Sequence, residues 1–254
     1  MLQLPLDQLL LILLQDALLL ALILRIWTAG LYRLYPYFFS YLLAELARQA
    51  IMTSVPYRSN SFKYFWVSTE GVVACFYVLI VVELYRVILR DLPGIASISR
   101  RYITATLGIA ILLSLLLLRA EEAPANWVSA FLVIERAVTF SLVFFILLVS
   151  AFLVYYPVPL NRNVIVYSVG YAVYFLTKAT GLFVRTLGHY IARELSTVLL
   201  VISSLCLLYW AFALNRRGEL RTVVVGHKWG KVDEEQLLAK LRTINASLIR
   251  TAKT

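Results

Sequence analysis

The chain has 254 residues, 61% of them apolar and 15% charged, with a mean hydropathy of +0.82. A soluble domain carries roughly a quarter of its residues as charges, so this composition excludes an ordinary water-soluble globule. It predicts an all-α, polytopic membrane bundle, in which each helix pairs its own backbone N–H and C=O groups inside the lipid bilayer.

The net charge is +10, and residues 1–215 hold 15 basic and 10 acidic side chains while residues 216–254 hold 9 and 4. The chain therefore divides into a membrane bundle over 1–215 and a basic tail over 216–254. Anionic lipid or the cytoplasmic face explains the basic tail better than nucleic acid, because no nucleic-acid-binding motif accompanies it.

The N-terminal MLQLPLDQLL has no basic stretch ahead of its apolar run and contains Asp7. It reads as the start of the first crossing and not as a cleaved signal. That crossing covers about residues 9–29, with Gln15 and Asp16 inside it and Arg25 near its end. Trp27, Tyr32, Tyr35, Tyr37 and Tyr41 gather around Pro36, as aromatic side chains do at a membrane surface. Pro36 suits the first turn of a second helix reaching about residue 53. Glu45, Arg48, Gln49 and Met52 share one side of it, so the helix either lines a bundle interior or rests along the interface.

A third span, about residues 65–84, contains Glu70 and ends at Glu83. The segment after it carries Arg86, Arg90, Arg100 and Arg101 around Pro93 and Gly94, which places it in the cytoplasm by the positive-inside bias. The fourth span is about residues 103–118, and Glu121 and Glu122 follow on the opposite side. The fifth, about 127–155, holds the adjacent pair Glu135 and Arg136 and ends before Pro157 and Pro159. Asn161, Arg162 and Asn163 are expected to form the turn into a sixth span over 164–187, and the last span covers about 195–214. The total is seven helices, with the N-terminus outside and the C-terminus in the cytoplasm of a prokaryotic inner membrane. If the second helix is interfacial there are six, and the N-terminus moves inside.

In the tail, residues 220–225 are expected to be extended, and Asp233 with Gln236 forms a capping arrangement for a short amphipathic helix. Leu237, Leu241, Ile244 and Leu248 are its apolar stripe. The stripe has to cover the cytoplasmic end of the bundle, a lipid surface or a protein partner.

Ionised groups in hydrocarbon are costly, so they face the bundle, pair or lose their charge. Asp16, Glu70, Glu135, Arg136 and Lys178 are the candidates, joined by Glu45 and Arg48 if the second helix crosses. They form either a polar cavity or separate interhelical pairs. Tyr167, Tyr171, Tyr174 and Lys178 repeat at helical spacing along one face of the sixth helix, as a packing seam or as the wall of a ligand pocket.

There is no GxxxxGK[ST], HExxH or GxSxG motif, and two histidines do not make a multi-histidine metal site. Cys75 and Cys206 sit in apolar runs as packing residues. No cofactor and no catalytic constellation is expected. A non-enzymatic sensor or interaction module binding a small molecule, lipid or partner ranks first. A small transporter or channel comes next, and a lipid-acting enzyme last.

Overall fold

The computed structural model describes residues 6–54, 60–89, 127–155, 159–187, 192–220, 222–224, 236 and 239–247. Six long helices carry the fold: α1 (Leu6–Thr28), α2 (Pro36–Ser54), α3 (Asn60–Ile88), α4 (Trp127–Tyr155), α5 (Arg162–Leu187) and α6 (Ala192–Ala213). A short helix α7 (Arg216–Leu220) follows, and strands β1 (Pro159–Asn161) and β2 (Thr222–Val224) pair antiparallel. The protein is all-α apart from this ribbon. Among the described residues three stretches are long and apolar enough to cross a membrane: Leu10–Thr28, Phe62–Ile88 and Ala130–Ala151.

Each long helix packs on its neighbours in the order α1, α2, α3, α4, α5, α6 and back to α1. The described helices thus close a ring. Glu45, Glu70, Glu83 and Glu135 are buried inside it, while Leu24, Val72, Phe144, Leu147 and Leu205 are exposed. This inside-out distribution is what lipid as the surrounding solvent demands.

Gly30, at φ 70°, takes the left-handed turn that a β-carbon disfavours and so ends the α1 turn. Pro36 then opens α2, where its missing N–H costs nothing. The Glu83 carboxylate, from the far end of α3, accepts hydrogen bonds from Tyr37 N (2.8 Å) and Phe38 N (3.1 Å). It satisfies two of the N–H groups that a first helical turn leaves unpaired and lies at the positive end of the helix dipole.

Two local expectations change. Asn161 pairs with Thr222 in the ribbon, and Arg162 and Asn163 already belong to α5. In the tail, Leu220 ends a helix, and 222–224 are extended. The reason in both cases is tertiary: the Asn163 amide donates to Asn215 O and to Glu219 Oε1, each at 2.7 Å, and holds the two segments together. A β-carbon on Gly218 would stand 2.1 Å from Asn163 Oδ1, so only glycine fits at this contact.

The fourth span and Arg90, Arg100 and Arg101 lie outside the described residues, as do Leu237 and Leu248. Residues 239–247 are helical, with Leu241 buried in the core and Ile244 exposed.

Candidate functional site

The ring holds a partly open cavity of about 400 Å³, within the roughly 300–1,000 Å³ of small-molecule sites. All six long helices contribute. The polar side is built by Glu45 and Arg48 from α2, Glu70 and Tyr77 from α3, Glu135 from α4 and Lys178 from α5. The opposite side is milder: Ile12 and Gln15 from α1 face Leu199, Leu200 and Ser203 from α6. Gln15 Nε2 donates to Ser203 Oγ at 3.3 Å, closing the seam between these two helices.

Lys178 is the hub. Its ammonium donates to Glu70 Oε1 at 2.5 Å and to Tyr77 OH at 3.0 Å, and lies 4.4 Å from the centre of the Tyr77 ring. Glu135 Oε1 stands 2.8 Å away as an ion-pair contact. Arg48 forks onto Glu45 through Nε (3.0 Å) and Nη2, and reaches Glu70 Oε2 through Nη1 at 3.3 Å. Glu70 therefore bridges the two cations. The chain Glu45, Arg48, Glu70, Lys178, Glu135 crosses four helices and uses three carboxylates against two cations.

The helical spacing that aligns these groups is local, but their meeting is not. On α5 the predicted face divides. Tyr174 and Lys178 line the cavity, and the Tyr174 hydroxyl shares hydrogen bonds with Tyr41 (3.0 Å) and Tyr77 (3.2 Å). Tyr171 and Tyr167 are fully buried one and two turns away. Tyr171 packs at 4.6 Å between ring centres on Trp210 and at 5.6 Å on Phe38, and Tyr167 OH donates to Glu83 at 3.0 Å. Gly170 permits this layer, because a β-carbon there would lie 2.1 Å from Trp210 Nε1.

Asp16 and Arg136 do not line the cavity. In each case the adjacent residue does: Gln15 beside Asp16, Glu135 beside Arg136. The Asp16 side chain faces the field of Glu45, and its Oδ1 is buried with no hydrogen-bond partner. Gln15, Trp66, Tyr77, Thr197 and Ser203 are lining residues that the charge-based reading passed over. Polar residues inside apolar runs, such as Gln15 and Ser203, were the available signal. Among the described residues no group of histidine, cysteine and carboxylate side chains could hold a metal.

At the other end of the bundle the start of the tail is clamped. Glu219 accepts hydrogen bonds from Tyr35 OH (2.7 Å), Asn161 Nδ2 (3.2 Å) and Asn163 Nδ2 (2.7 Å). Arg25 binds the carbonyl oxygens of Leu214 (3.1 Å) and Phe212 (3.3 Å), capping the end of α6. Burial, reinforced by the Glu219 carboxylate, raises the Tyr35 hydroxyl well above the usual phenol range. No protein-family model, curated protein or solved structure matches the chain.

Proposed function

We propose that the chain is a seven-helix integral membrane protein, N-terminus outside and C-terminus cytoplasmic, that binds a small molecule within the bundle and signals through its tail without catalysing a reaction. The observation that carries the ligand reading is a cavity of about 400 Å³ on which Glu45, Arg48, Glu70, Glu135 and Lys178 converge. Scattered ion pairs would stabilise packing without leaving such a space.

The seven-helix count is supported by direction. Trp66 and Phe131, each near the start of its helix, meet with ring centres 6.0 Å apart, so α3 and α4 run parallel. The chain leaves α3 at one end of the bundle and enters α4 at the other, which supports the sequence-based reading of the apolar run at 103–118 as a further crossing. The orientation is supported by Arg25, Arg33, Arg86, Arg162, Arg216 and Arg217, which gather at the end that holds the tail.

Binding is favoured over conduction because the layer of Phe38, Tyr171, Phe175 and Trp210, all at most 1% exposed, fills the bundle between the cavity and the tail end. Helix α5 joins the two sites as one rod. It carries Lys178 in the cavity, Tyr167 on Glu83, and Asn163 in the tail clamp. A ligand that shifts α5 has a direct mechanical route to residues 215–224.

The test is a thermal-stability screen of small molecules against purified protein and a cavity-filled Ser203→Phe variant. Compounds that stabilise the parent and not the variant are expected. A library without such compounds, or equal shifts for both proteins, overturns the reading.

A further inference from the structure

We infer that the cavity takes a cationic amphipathic molecule, a primary ammonium or guanidinium on an apolar body, whose charged head donates hydrogen bonds to Glu135. This rests on the ligand-binding reading above and names the ligand's chemistry. Glu135 is 3% exposed and lines the cavity; Lys178 Nζ stands 2.8 Å from its Oε1, and its Oε2 is buried with no hydrogen-bond partner. A buried carboxylate oxygen without a donor is costly, and a donor that reaches Oε2 from the cavity relieves that cost.

The charge balance points the same way. Three carboxylates face two cations, and Asp16 lines no part of the cavity. Arg136 follows Glu135 on α4 but lines no part of the cavity. Both cavity cations are engaged, Lys178 by Glu70, Glu135 and Tyr77, and Arg48 by Glu45 and Glu70. An anionic ligand would have to compete with these carboxylates for them.

The walls suit a cation with an apolar body. Tyr77, Tyr174 and Trp66 line the cavity beside the carboxylates; aromatic rings attract ammonium and guanidinium groups, as the Tyr77 ring does Lys178 at 4.4 Å. Leu199, Leu200 and Ile202 complete it with aliphatic surface, which gives a hydrocarbon or aryl chain a place away from the charges.

The experiment uses the full chain in nanodiscs of zwitterionic lipid, titrated calorimetrically with 4-phenylbutylammonium, 4-phenylbutanol and 4-phenylbutyrate, with empty nanodiscs as the blank. The three probes share one body and differ in head charge. The ammonium is expected to bind at least tenfold tighter than the alcohol and tighter still than the carboxylate. Glu135→Gln should reduce ammonium affinity tenfold or more while leaving the alcohol unchanged, and Glu135→Asp should restore part of the loss. Helix content by circular dichroism checks that each variant is folded.

Tighter binding of the alcohol or the carboxylate, abolished by Ser203→Phe, overturns the cationic assignment and leaves the cavity as a ligand site. Ammonium binding that ignores both Glu135→Gln and Ser203→Phe also overturns it. If none of the probes binds, the cationic assignment fails, while the independent Ser203→Phe screen decides whether the cavity accepts any other small molecule.

Discussion

Replacing Lys178 with methionine tests whether the charged network is one energetic unit. The substitution keeps most of the side-chain volume and removes the ammonium that holds Glu70 at 2.5 Å and Glu135 at 2.8 Å. Glu70 retains Arg48 at 3.3 Å, whereas Glu135, with a side chain 2% exposed, loses its ion pair with Lys178. Breaking a buried pair while leaving one charge behind costs about 3–5 kcal/mol. The low end applies here, about 3 kcal/mol, because helices that remain in a micelle after unfolding find other polar partners.

The double variant Lys178→Met/Glu135→Leu removes the stranded charge as well. Apolar replacement of a buried pair is often neutral or better, so its stability should return to within about 1 kcal/mol of the parent. The two substitutions then couple by about 2 kcal/mol, within the range that residues in contact or in one ion-pair network show. Reversible unfolding in mixed micelles, followed by tryptophan fluorescence, measures both quantities. A Lys178→Met protein within about 0.5 kcal/mol of the parent, or a double variant no more stable than the single, refutes the reasoning.

Further expectations concern packing, the tail clamp and topology. Gly170→Val drives a side chain into the Trp210 indole, whose Nε1 would be 2.1 Å from the new β-carbon; overpacking of this kind costs about 1–3 kcal/mol, read by the same unfolding assay. Glu219→Ala leaves Tyr35, Asn161 and Asn163 without their shared acceptor, so limited proteolysis should cut residues 216–224 faster while the bundle stays intact, and unchanged cleavage would contradict the clamp.

The raised Tyr35 hydroxyl holds its proton more tightly folded than unfolded. Its contribution is therefore complete below about pH 10 and is lost as pH rises above that value. Unfolding titrations should show a smaller alkaline decline in Tyr35→Phe than in the parent. Single cysteines introduced at Arg33 and at Lys63, in a background without Cys75 and Cys206, should react with an impermeant thiol reagent only at position 63 in intact cells; the reverse pattern inverts the orientation.

Much of the architecture was legible along the chain, because a long apolar run in lipid has little choice but to be a helix, and Pro36 and the Pro157–Pro159 region set local boundaries. The ribbon between residues 159–161 and 222–224 was not, since it depends on the Asn163 side chain reaching the Asn215 carbonyl and the Glu219 carboxylate, which are distant in sequence. The candidate site divides in the same way. Composition singled out Glu70, Glu135, Tyr174 and Lys178 as polar groups within apolar runs, but Glu45 and Arg48 depended on whether α2 joined the bundle, and Glu83 was read as a helix end rather than as the cap of α2.

The sequence by itself determined that polar groups lie inside apolar helices, since that follows from composition and an apolar run long enough to span. Only the tertiary structure decided which of them meet. Successive residues on a helix point about 100° apart, so Gln15 or Asp16, and Glu135 or Arg136, could each have faced inward. The rotation of each helix is set by packing around the whole ring, through contacts such as Gly170 against Trp210 and Glu83 on the start of α2. That long-range packing turned Gln15 and Glu135 into the cavity and their charged neighbours away from it.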